Sequence, residues 1–162
     1  MCDFELIVIC NSSKDRNLIE LIKSHPVITR WSINSQNIGV PRSWNQGANL
    51  ALGEYLCFAN DDAEIGPGSI EKMVSWFSNP EIGEVGPKGG RWFRKEPGEY
   101  VGKKKFSEAD QISGWLFMIP TKIYYEIGGF DNYYSPAFME EIDLSFAVRN
   151  AGYKCIVDPS IN

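Results

Sequence analysis

The sequence predicts an α/β fold with a mostly parallel central sheet flanked by helices, because short apolar runs alternate with segments of helical period. The runs at residues 5–10 and 54–59 indicate buried strands, and turn residues separate each run from the next helix-like segment. The chain has 162 residues, of which 43% are hydrophobic and 23% are charged. Because this length can bury a sizeable core, we expect a single domain over residues 1–162.

The first part of the chain follows this pattern. Residues 17–24 have the apolar spacing of a helix, and Pro26 ends that helix. Residues 27–33 indicate a strand. Ser43 is expected to cap a second helix that stops at Gly53, because Ser is a good N-cap and Gly is a common C-terminal stop.

The second part continues the alternation of strands and helices. Ser69 is expected to cap a helix whose apolar residues recur at spacings of three and four. The remaining predicted elements are strands at 85–87, 113–119 and 154–157, and helices at 121–127 and 141–150.

Residues 88–110 differ from the rest of the chain. The stretch KGGRWFRKEPGEYVGKKKFSEAD is rich in Gly, Lys and Arg and shows no period. We expect a mobile loop here, whose basic residues either contact a ligand or form a solvated surface.

Charge and cysteine usage narrow the functional classes. The net charge of −5 argues against nucleic acid as a partner, and the apolar runs at 6–10 and 115–120 are too short to span a bilayer. Asp3 and Glu5 interrupt the start of the chain where a signal peptide would be basic. The four cysteines form no CxxC pair, so we expect buried, reduced thiols and a cytoplasmic location.

The most informative local feature is a pair of acids at the end of a predicted strand. Asn60, Asp61 and Asp62 follow the run at 54–59 directly, and open parallel sheets bind ligands at the carboxyl ends of their strands. Adjacent carboxylates repel each other unless a cation or hydrogen-bond donors neutralise them, and a hard divalent ion would do so. The alternative is an Asp-rich turn that caps the next helix.

The residues around this pair carry a resemblance. The run NIGVPRSWNQGANLALGEYLCFANDD resembles the N-x-G, N-x-G, A-x-G and D-D pattern of family 2 glycosyltransferases with the GT-A fold. A second run, from Gly128 to Gly152, is similar to the family's G-G-F-D, E-D-x-D-L and R-x-x-G block. The resemblance implies a GT-A fold that is truncated relative to the usual family core.

The resemblance implies a metal site and a catalytic base. Asp62 would bind Mn²⁺ or Mg²⁺, which bridges the donor diphosphate, while Asp61 and Asn60 would hold the ribose or assist the metal. Glu141 stands where the family has its catalytic base, with Asp143 as a neighbouring catalytic acid. The alternative for this acidic run is a set of carboxylates favoured by a helix N-terminus.

Further residues receive roles from the same resemblance. The predicted acceptor or sugar contacts are Trp115, Gly129, Phe130, Asp131 and Glu140, with Trp115 alternatively a core aromatic. The predicted nucleotide-sugar contacts, besides Asn60 and Asp61, are Cys10, Asn11, Ser12, Asn37, Arg42 and Arg91.

The chain departs from the family pattern in several places. If Cys10 to Asp15 match the turn after the family's second strand, one βα unit is absent at the N-terminus. Cys10 then stands where the family often has an Asp that reads uracil, which favours a guanosine donor because a thiol is a poor acceptor.

Other departures concern the phosphate and metal contacts. Trp44 replaces a basic residue, so phosphate contact passes to Arg42 or to the basic residues Arg91, Arg94 and Lys103–Lys105. The chain ends just before the stretch where many relatives supply a metal-binding His, and His25 cannot replace that residue because it is on the wrong helix. Either the metal site relies on Asp62, the diphosphate and water, or a C-terminal portion is missing. Asp158 is a candidate substitute ligand.

The sequence therefore predicts a metal-dependent glycosyltransferase that moves a sugar from a nucleotide-sugar donor to a hydroxyl of a glycan or protein acceptor, with inversion. GDP-mannose is favoured over UDP-sugars as the donor. The alternative is a degenerate nucleotide-sugar-binding protein, or a subunit of a larger glycosylation complex without full transferase activity of its own.

Overall fold

The computed structural model describes residues 3–93 and 96–162. The described residues form two compact units. The β1–β2 unit consists of Asp3–Gly53 and Phe130–Glu140, and the central-sheet unit consists of described residues within Glu54–Gly129 and Glu141–Asn162. The organisation as one domain over 1–162 stays a prediction.

The β1–β2 unit is built around two parallel strands. Its elements are β1 (Leu6–Asn11), α1 (Arg16–Ser24), β2 (Ile28–Asn34), α2 (Val40–Leu50) and a 3-10 turn at Asn132–Tyr134. β1 and β2 pair in parallel, with Val8 opposite Trp31 and Ile9 opposite Ser32. The alternation of apolar runs and helical segments predicted these elements.

The two helices of this unit begin differently from each other. Asp15 caps α1, its carboxylate accepting a hydrogen bond from the Asn17 amide at 2.9 Å. The prediction that Ser43 caps α2 is wrong, because Gly39 (φ 88°) precedes the helix and Pro41 lies in its first turn, where proline is favoured. The Ser43 hydroxyl instead donates to the Gly39 carbonyl oxygen at 2.8 Å.

The helices α1 and α2 pack on opposite faces of the strand pair. The Lys23 ammonium of α1 lies 5.8 Å from the centre of the Trp31 ring. The Gln46 side chain of α2 donates to the Ser32 hydroxyl at 2.9 Å. Because successive strand residues point to opposite faces, these two contacts put the helices on opposite sides of β2.

The central-sheet unit contains a five-stranded sheet in the order β3-β9-β4-β10-β7 and a three-stranded sheet in the order β6-β5-β8. Its strands are β3 (Tyr55–Ala59), β4 (Ile82–Gly86), β5 (Gly89–Phe93), β6 (Glu96–Tyr100), β7 (Ser107–Ala109), β8 (Gln111–Ile112), β9 (Leu116–Pro120) and β10 (Lys154–Val157). Its helices are α3 (Ser69–Trp76), α4 (Thr121–Glu126) and α5 (Glu140–Asn150), except that Glu140, the first residue of α5, is counted with the β1–β2 unit.

The α/β class is confirmed, and the five-stranded sheet is mixed rather than mostly parallel. β4 and β10 are parallel, but β9 runs antiparallel to both β3 and β4, and β7 runs antiparallel to β10. The reversal arises because β9 enters the sheet directly after β8, without an intervening crossover helix.

The prediction of a mobile loop at 88–110 is wrong for the described residues. β5 and β6 form an antiparallel pair there, β5 also pairs with β8, and β7 joins the larger sheet. A side chain on Gly89 would collide with the Gln111 backbone, so a glycine-rich sequence is compatible with a strand here. Arg94 lies outside the described residues.

Helix α3 packs its apolar face on the larger sheet. Met73 joins a buried cluster that also contains Ile82, Val85, Leu116, Met118, Ile156 and Ile161. Ser69 was predicted to cap α3, but Gly68 precedes the helix and the buried Ser69 hydroxyl donates to the Asn162 carbonyl oxygen at 2.7 Å.

Two further predictions from the sequence concern the cysteines and membrane-spanning segments. Cys10 and Cys155 are buried, whereas Cys57 is exposed because it occupies an outward position of β3. All three are free thiols. Over residues 3–93 and 96–162, no helix has both the length and the apolar character that a membrane crossing requires.

Candidate functional site

The predicted acids at the end of β3 face solvent. Asn60, Asp61 and Asp62 are exposed and follow β3 without a gap. The Asn60 amide donates to the Trp115 carbonyl oxygen at 3.0 Å, and the Ala63 amide donates to the Asn60 carbonyl oxygen at 3.1 Å, which fixes a tight turn. No hydrogen bond or ion pair links either Asp side chain to another described residue.

These carboxylates have the chemistry of a divalent-cation site with few protein ligands. Within the described residues, no group of three or more His, Cys, Asp or Glu side chains could hold a metal. Mg²⁺ and related hard ions bind through one or two carboxylates together with water and substrate phosphate. Asp61 and Asp62 therefore fit an ion that takes its remaining ligands from a bound phosphate group and water.

The second acidic group lies at the start of α5. Glu140 is buried, and one of its carboxylate oxygens has no hydrogen-bond partner among the described residues. Glu141 and Asp143 are half-buried and have interactions of their own. A Cβ added to Gly114 would lie 3.1 Å from the Glu141 Cβ, so the Glu141 side chain packs against the chain between β8 and β9.

A buried serine fixes the backbone that carries Glu141. The Ser145 hydroxyl donates to the Glu141 carbonyl oxygen and accepts from the Ile112 amide, both at 3.0 Å. Ser145 therefore ties the first turn of α5 to β8. The Cys155 thiol contacts the Ser145 carbonyl oxygen at 3.6 Å. Ser145 has no recognisable signal in the sequence, because a single small polar residue inside a helix is common.

Glu84 is a further buried acid that sequence reasoning missed. It lies in β4, all five residues of which are buried, and its carboxyl oxygens make no hydrogen bond of good geometry with described residues. Burial raises the pKa of Glu84 to about 8, and the charge of Glu141 adds to the shift, while Ser145 and Cys155 oppose it. Glu84 is therefore mainly neutral at pH 7.

The β1–β2 unit brings two predicted donor contacts together. The Asn11 side-chain amide donates to the Asn37 side-chain oxygen at 2.8 Å. The Asn11 oxygen accepts from the Ile38 amide at 3.0 Å, and the Asn37 oxygen accepts from the Gly39 amide at 2.8 Å. Both side chains thus hold the loop that leads into α2. Next to Asn11, Ser12 has a φ of 82°.

Three other predicted donor contacts lie on three different elements, β1, α2 and β5. Cys10 is 7% exposed, so its thiol is largely covered by protein. Arg42 is exposed in α2, where it lines a groove with Asn45, Gln46, Asn49 and Leu50. Arg91 is exposed in β5 of the central-sheet unit.

The predicted acceptor residues Phe130, Asp131 and Gly129 have roles in packing, capping and turn geometry. Phe130 is 3% exposed, its ring lies 5.0 Å from that of Trp44, and its amide and carbonyl bind the Asn45 side chain at 3.0 and 2.8 Å. Asp131 caps the 3-10 turn by accepting from the Tyr133 amide at 2.8 Å. Gly129 has a φ of 69°, which favours glycine.

Trp115 and Asp158 also take part in packing. Trp115 is half-buried and packs against the Met73 cluster, in agreement with the alternative of a core aromatic. The Asp158 carboxylate accepts from the Trp76 indole at 2.9 Å and from the Ser160 amide and hydroxyl at 2.9 and 2.6 Å. Burial opposes ionisation of Asp158, but these hydrogen bonds outweigh it and lower the pKa. Asp158 is therefore a poor substitute metal ligand.

Comparisons with known proteins agree with the predicted class. A family model described as glycosyl transferase family 2 matches residues 1–133. An uncharacterized glycosyltransferase of Haemophilus influenzae is 35% identical over 82 residues, which cover 49% of this chain and 27% of that protein.

Two solved structures are similar in fold. One is GalNAc-T7 with UDP, GalNAc and Mn²⁺, at a TM-score of 0.80 and 18% identity. The other is a mannosyltransferase of Pyrobaculum calidifontis with GDP-Man and Mn²⁺, at a TM-score of 0.73 and 15% identity. Each match covers 96% of this chain, but only 36% and 45% of the respective neighbour. The chain thus spans less than half of these proteins.

Proposed function

Because the chain belongs to glycosyl transferase family 2, we propose that it binds a nucleotide sugar with a divalent cation and transfers the sugar to a hydroxyl acceptor. The two solved neighbours support the GT-A fold predicted from the sequence. The observation that carries the proposal is the exposed Asp61–Asp62 pair at the end of β3, whose carboxylates bind no other described residue.

Asp62 is proposed as the metal ligand, with Asp61 and Asn60 holding the ribose or assisting the metal. The cation, Mn²⁺ or Mg²⁺, would act as a Lewis acid toward the diphosphate leaving group. Both solved neighbours are structures with Mn²⁺ together with a nucleotide or nucleotide sugar, which supports this choice. The rigid turn at Asn60 would keep both carboxylates at the strand end.

Glu141 is proposed as the base that removes the proton of the acceptor hydroxyl as that oxygen attacks the anomeric carbon, with inversion. Its packing against Gly114 and the Ser145 link to β8 would hold the carboxylate in one position. Asp143 and Glu140 would contribute neighbouring negative charge. Gly129 to Asp131 and Trp115 are proposed on the acceptor side.

For the donor, we propose GDP-mannose ahead of UDP-sugars. The proposal rests on Cys10, a poor hydrogen-bond acceptor at the position where relatives often have an Asp. The Pyrobaculum neighbour, a mannosyltransferase with GDP-Man, supports it as well. Asn11, Ser12 and Asn37 would shape the donor site through the loop they hold, and Arg91 would contact phosphate.

We also propose a cytoplasmic location and a ligand other than nucleic acid. The free thiols of Cys10, Cys57 and Cys155 are compatible with a cytoplasmic location. The net charge of −5 favours a small nucleotide ligand over nucleic acid.

Calorimetric titration tests the metal-dependent donor site. GDP-mannose and UDP-GlcNAc are titrated with and without Mn²⁺, and binding is expected only with the metal. Asp62→Asn should abolish this metal-dependent binding, because the substitution removes a carboxylate ligand. Glu64→Gln is the matched control, since Glu64 is an exposed acid two residues away and its loss changes the net charge equally. Equal donor affinity of the two variants would overturn the proposal.

A second candidate is a nucleotide-sugar-binding protein, or a subunit of a larger glycosylation complex, without full transferase activity. The observation that favours it is that the chain spans 27% of the Haemophilus relative. In that case Mn²⁺-dependent donor binding would persist in the calorimeter, while no transfer to any hydroxyl acceptor would be detected.

A further inference from the structure

We propose that the groove along α2 binds a short acidic glycan, with a carboxylate of the glycan at Arg42. The groove has a volume of about 500 Å³, a size typical of small-molecule sites. It is lined by α2 on one side and by Trp31 and Ser32 of β2 on the other. All its lining residues belong to the β1–β2 unit.

The α2 wall is a stripe on one face of the helix. Arg42, Asn45, Gln46, Asn49 and Leu50 stand at positions i, i+3, i+4, i+7 and i+8, which lie together on a helix surface. From Arg42 to Leu50 the helix rises by about 12 Å. An extended ligand of roughly disaccharide length would therefore contact the whole stripe.

The chemistry of the lining selects the class of ligand. Besides the amides on α2 the groove contains the Asn132 amide and the Ser32 hydroxyl, and no carboxylate is among the described residues that line it. Without carboxylates it does not suit a divalent cation, and a single arginine is too little positive charge for a diphosphate. Amides carry both donors and acceptors, which match the hydroxyl groups of a sugar. The Asn45 side chain is already bound to Phe130 and Asn132, so it shapes the wall rather than donating to a ligand.

Gln46 supplies an acceptor inside this wall. Its amide nitrogen donates to Ser32 at 2.9 Å, while its side-chain oxygen is buried and has no donor among the described residues. Leaving such an atom unpaired costs free energy, which a hydroxyl donor would recover.

Among the described residues of the lining, only Arg42 carries a formal charge. The residue is exposed, and within residues 3–93 and 96–162 its guanidinium forms no ion pair. Guanidinium groups bind carboxylates through two parallel hydrogen bonds, which favours a sugar acid at this end of the groove. The phosphate role predicted for Arg42 from the sequence would need further cations, and the groove provides none.

The test uses the 162-residue chain without nucleotide or metal. A hyaluronan disaccharide of glucuronate and N-acetylglucosamine is titrated while the side-chain amide signals of Asn45, Gln46 and Asn49 are followed by NMR. These signals should shift in a saturable way. The neutral N,N′-diacetylchitobiose should bind several-fold more weakly, because it lacks the carboxylate.

Asn49→Asp adds a negative charge to the groove with little change of shape. It should weaken binding of the acidic disaccharide about tenfold at low salt and affect the neutral one less. Asn17→Asp is the matched control, since Asn17 is exposed in α1, outside the groove, and the charge change is identical. Thermal melting of both variants checks that they fold.

Several outcomes would overturn the proposal. These are the absence of shifts at the groove amides, equal weakening by the two variants, equal affinity for both disaccharides, and displacement of the disaccharide by GDP or UDP. The last outcome would assign the groove to the donor. The NMR titration contains no nucleotide sugar, so a failure of the donor titration in the calorimeter would not change its result.

Discussion

Two acidic regions of the central-sheet unit contrast in how the protein holds them. Asp61 and Asp62 are exposed in a turn, and their carboxylates bind no other described residue. Glu141 is half-buried, packs against Gly114, and has its backbone fixed by Ser145. A metal and its phosphate ligands can complete and order the first region, whereas a base must already point at its proton before the reaction. Packing therefore holds the Glu141 side chain in place, whereas the Asp61–Asp62 pair is left exposed.

The largest expected effect is the loss of the proposed base. Glu141→Gln should lower the turnover number for sugar transfer by about 10²- to 10⁴-fold, because the amide cannot accept the acceptor's proton. Affinity for the donor with Mn²⁺ should change little, in contrast to Asp62→Asn. Steady-state transfer assays and donor titration on the same preparation measure both quantities. Unchanged turnover would assign the base elsewhere.

A smaller effect is expected from disturbing only the position of Glu141. In Gly114→Ala, the new Cβ would stand 3.1 Å from the Glu141 Cβ and 3.2 Å from its Cγ, both tighter than ordinary contact. The Glu141 side chain should shift, and turnover should fall by about 10- to 100-fold with little change in donor affinity.

Gly47→Ala is the control for this substitution. Gly47 lies in α2, and an added Cβ would meet Ile9 only at 3.4 Å, so the variant should fold and turn over normally. If Gly114→Ala kept full turnover while melting normally, precise placement of Glu141 would be irrelevant to the reaction.

The contrast also shows where sequence reasoning succeeds. The final strand was predicted at 154–157 and is found at Lys154–Val157, and the first helix was predicted at 17–24 and is found at Arg16–Ser24. Both have local signals, namely an apolar run and a helical period bounded by turn residues. The acids at the end of β3 were equally visible, because they interrupt an apolar strand.

What the sequence did not reveal depends on distant contacts. β5 and β6 pair with each other, and β5 with β8, through a glycine-rich stretch that has no period of its own. The role of Gly114 depends on Glu141, which is 27 positions away in the chain. Glu84 could have been noticed only as an acid inside a strand that is buried on both faces, and that burial is a tertiary property.

The smallest effect concerns Glu84, the buried counterpart of the exposed Asp61–Asp62 pair. Its pKa is about 8 in the folded protein against an ordinary value of 4.5, so between these values the folded state holds a proton that the unfolded state lacks. Stability should therefore decrease as pH rises through this window and level off above about pH 8, with a slope of at most about 1.4 kcal/mol per pH unit from this group.

Glu84→Gln removes the titrating group, so the melting temperature of this variant should depend less on pH than that of the wild type. The two proteins should melt at similar temperatures at pH 5, where both side chains are neutral in the folded protein, and diverge by pH 8, with the variant more stable. Identical pH profiles from thermal melts would mean that Glu84 does not carry its proton into the core.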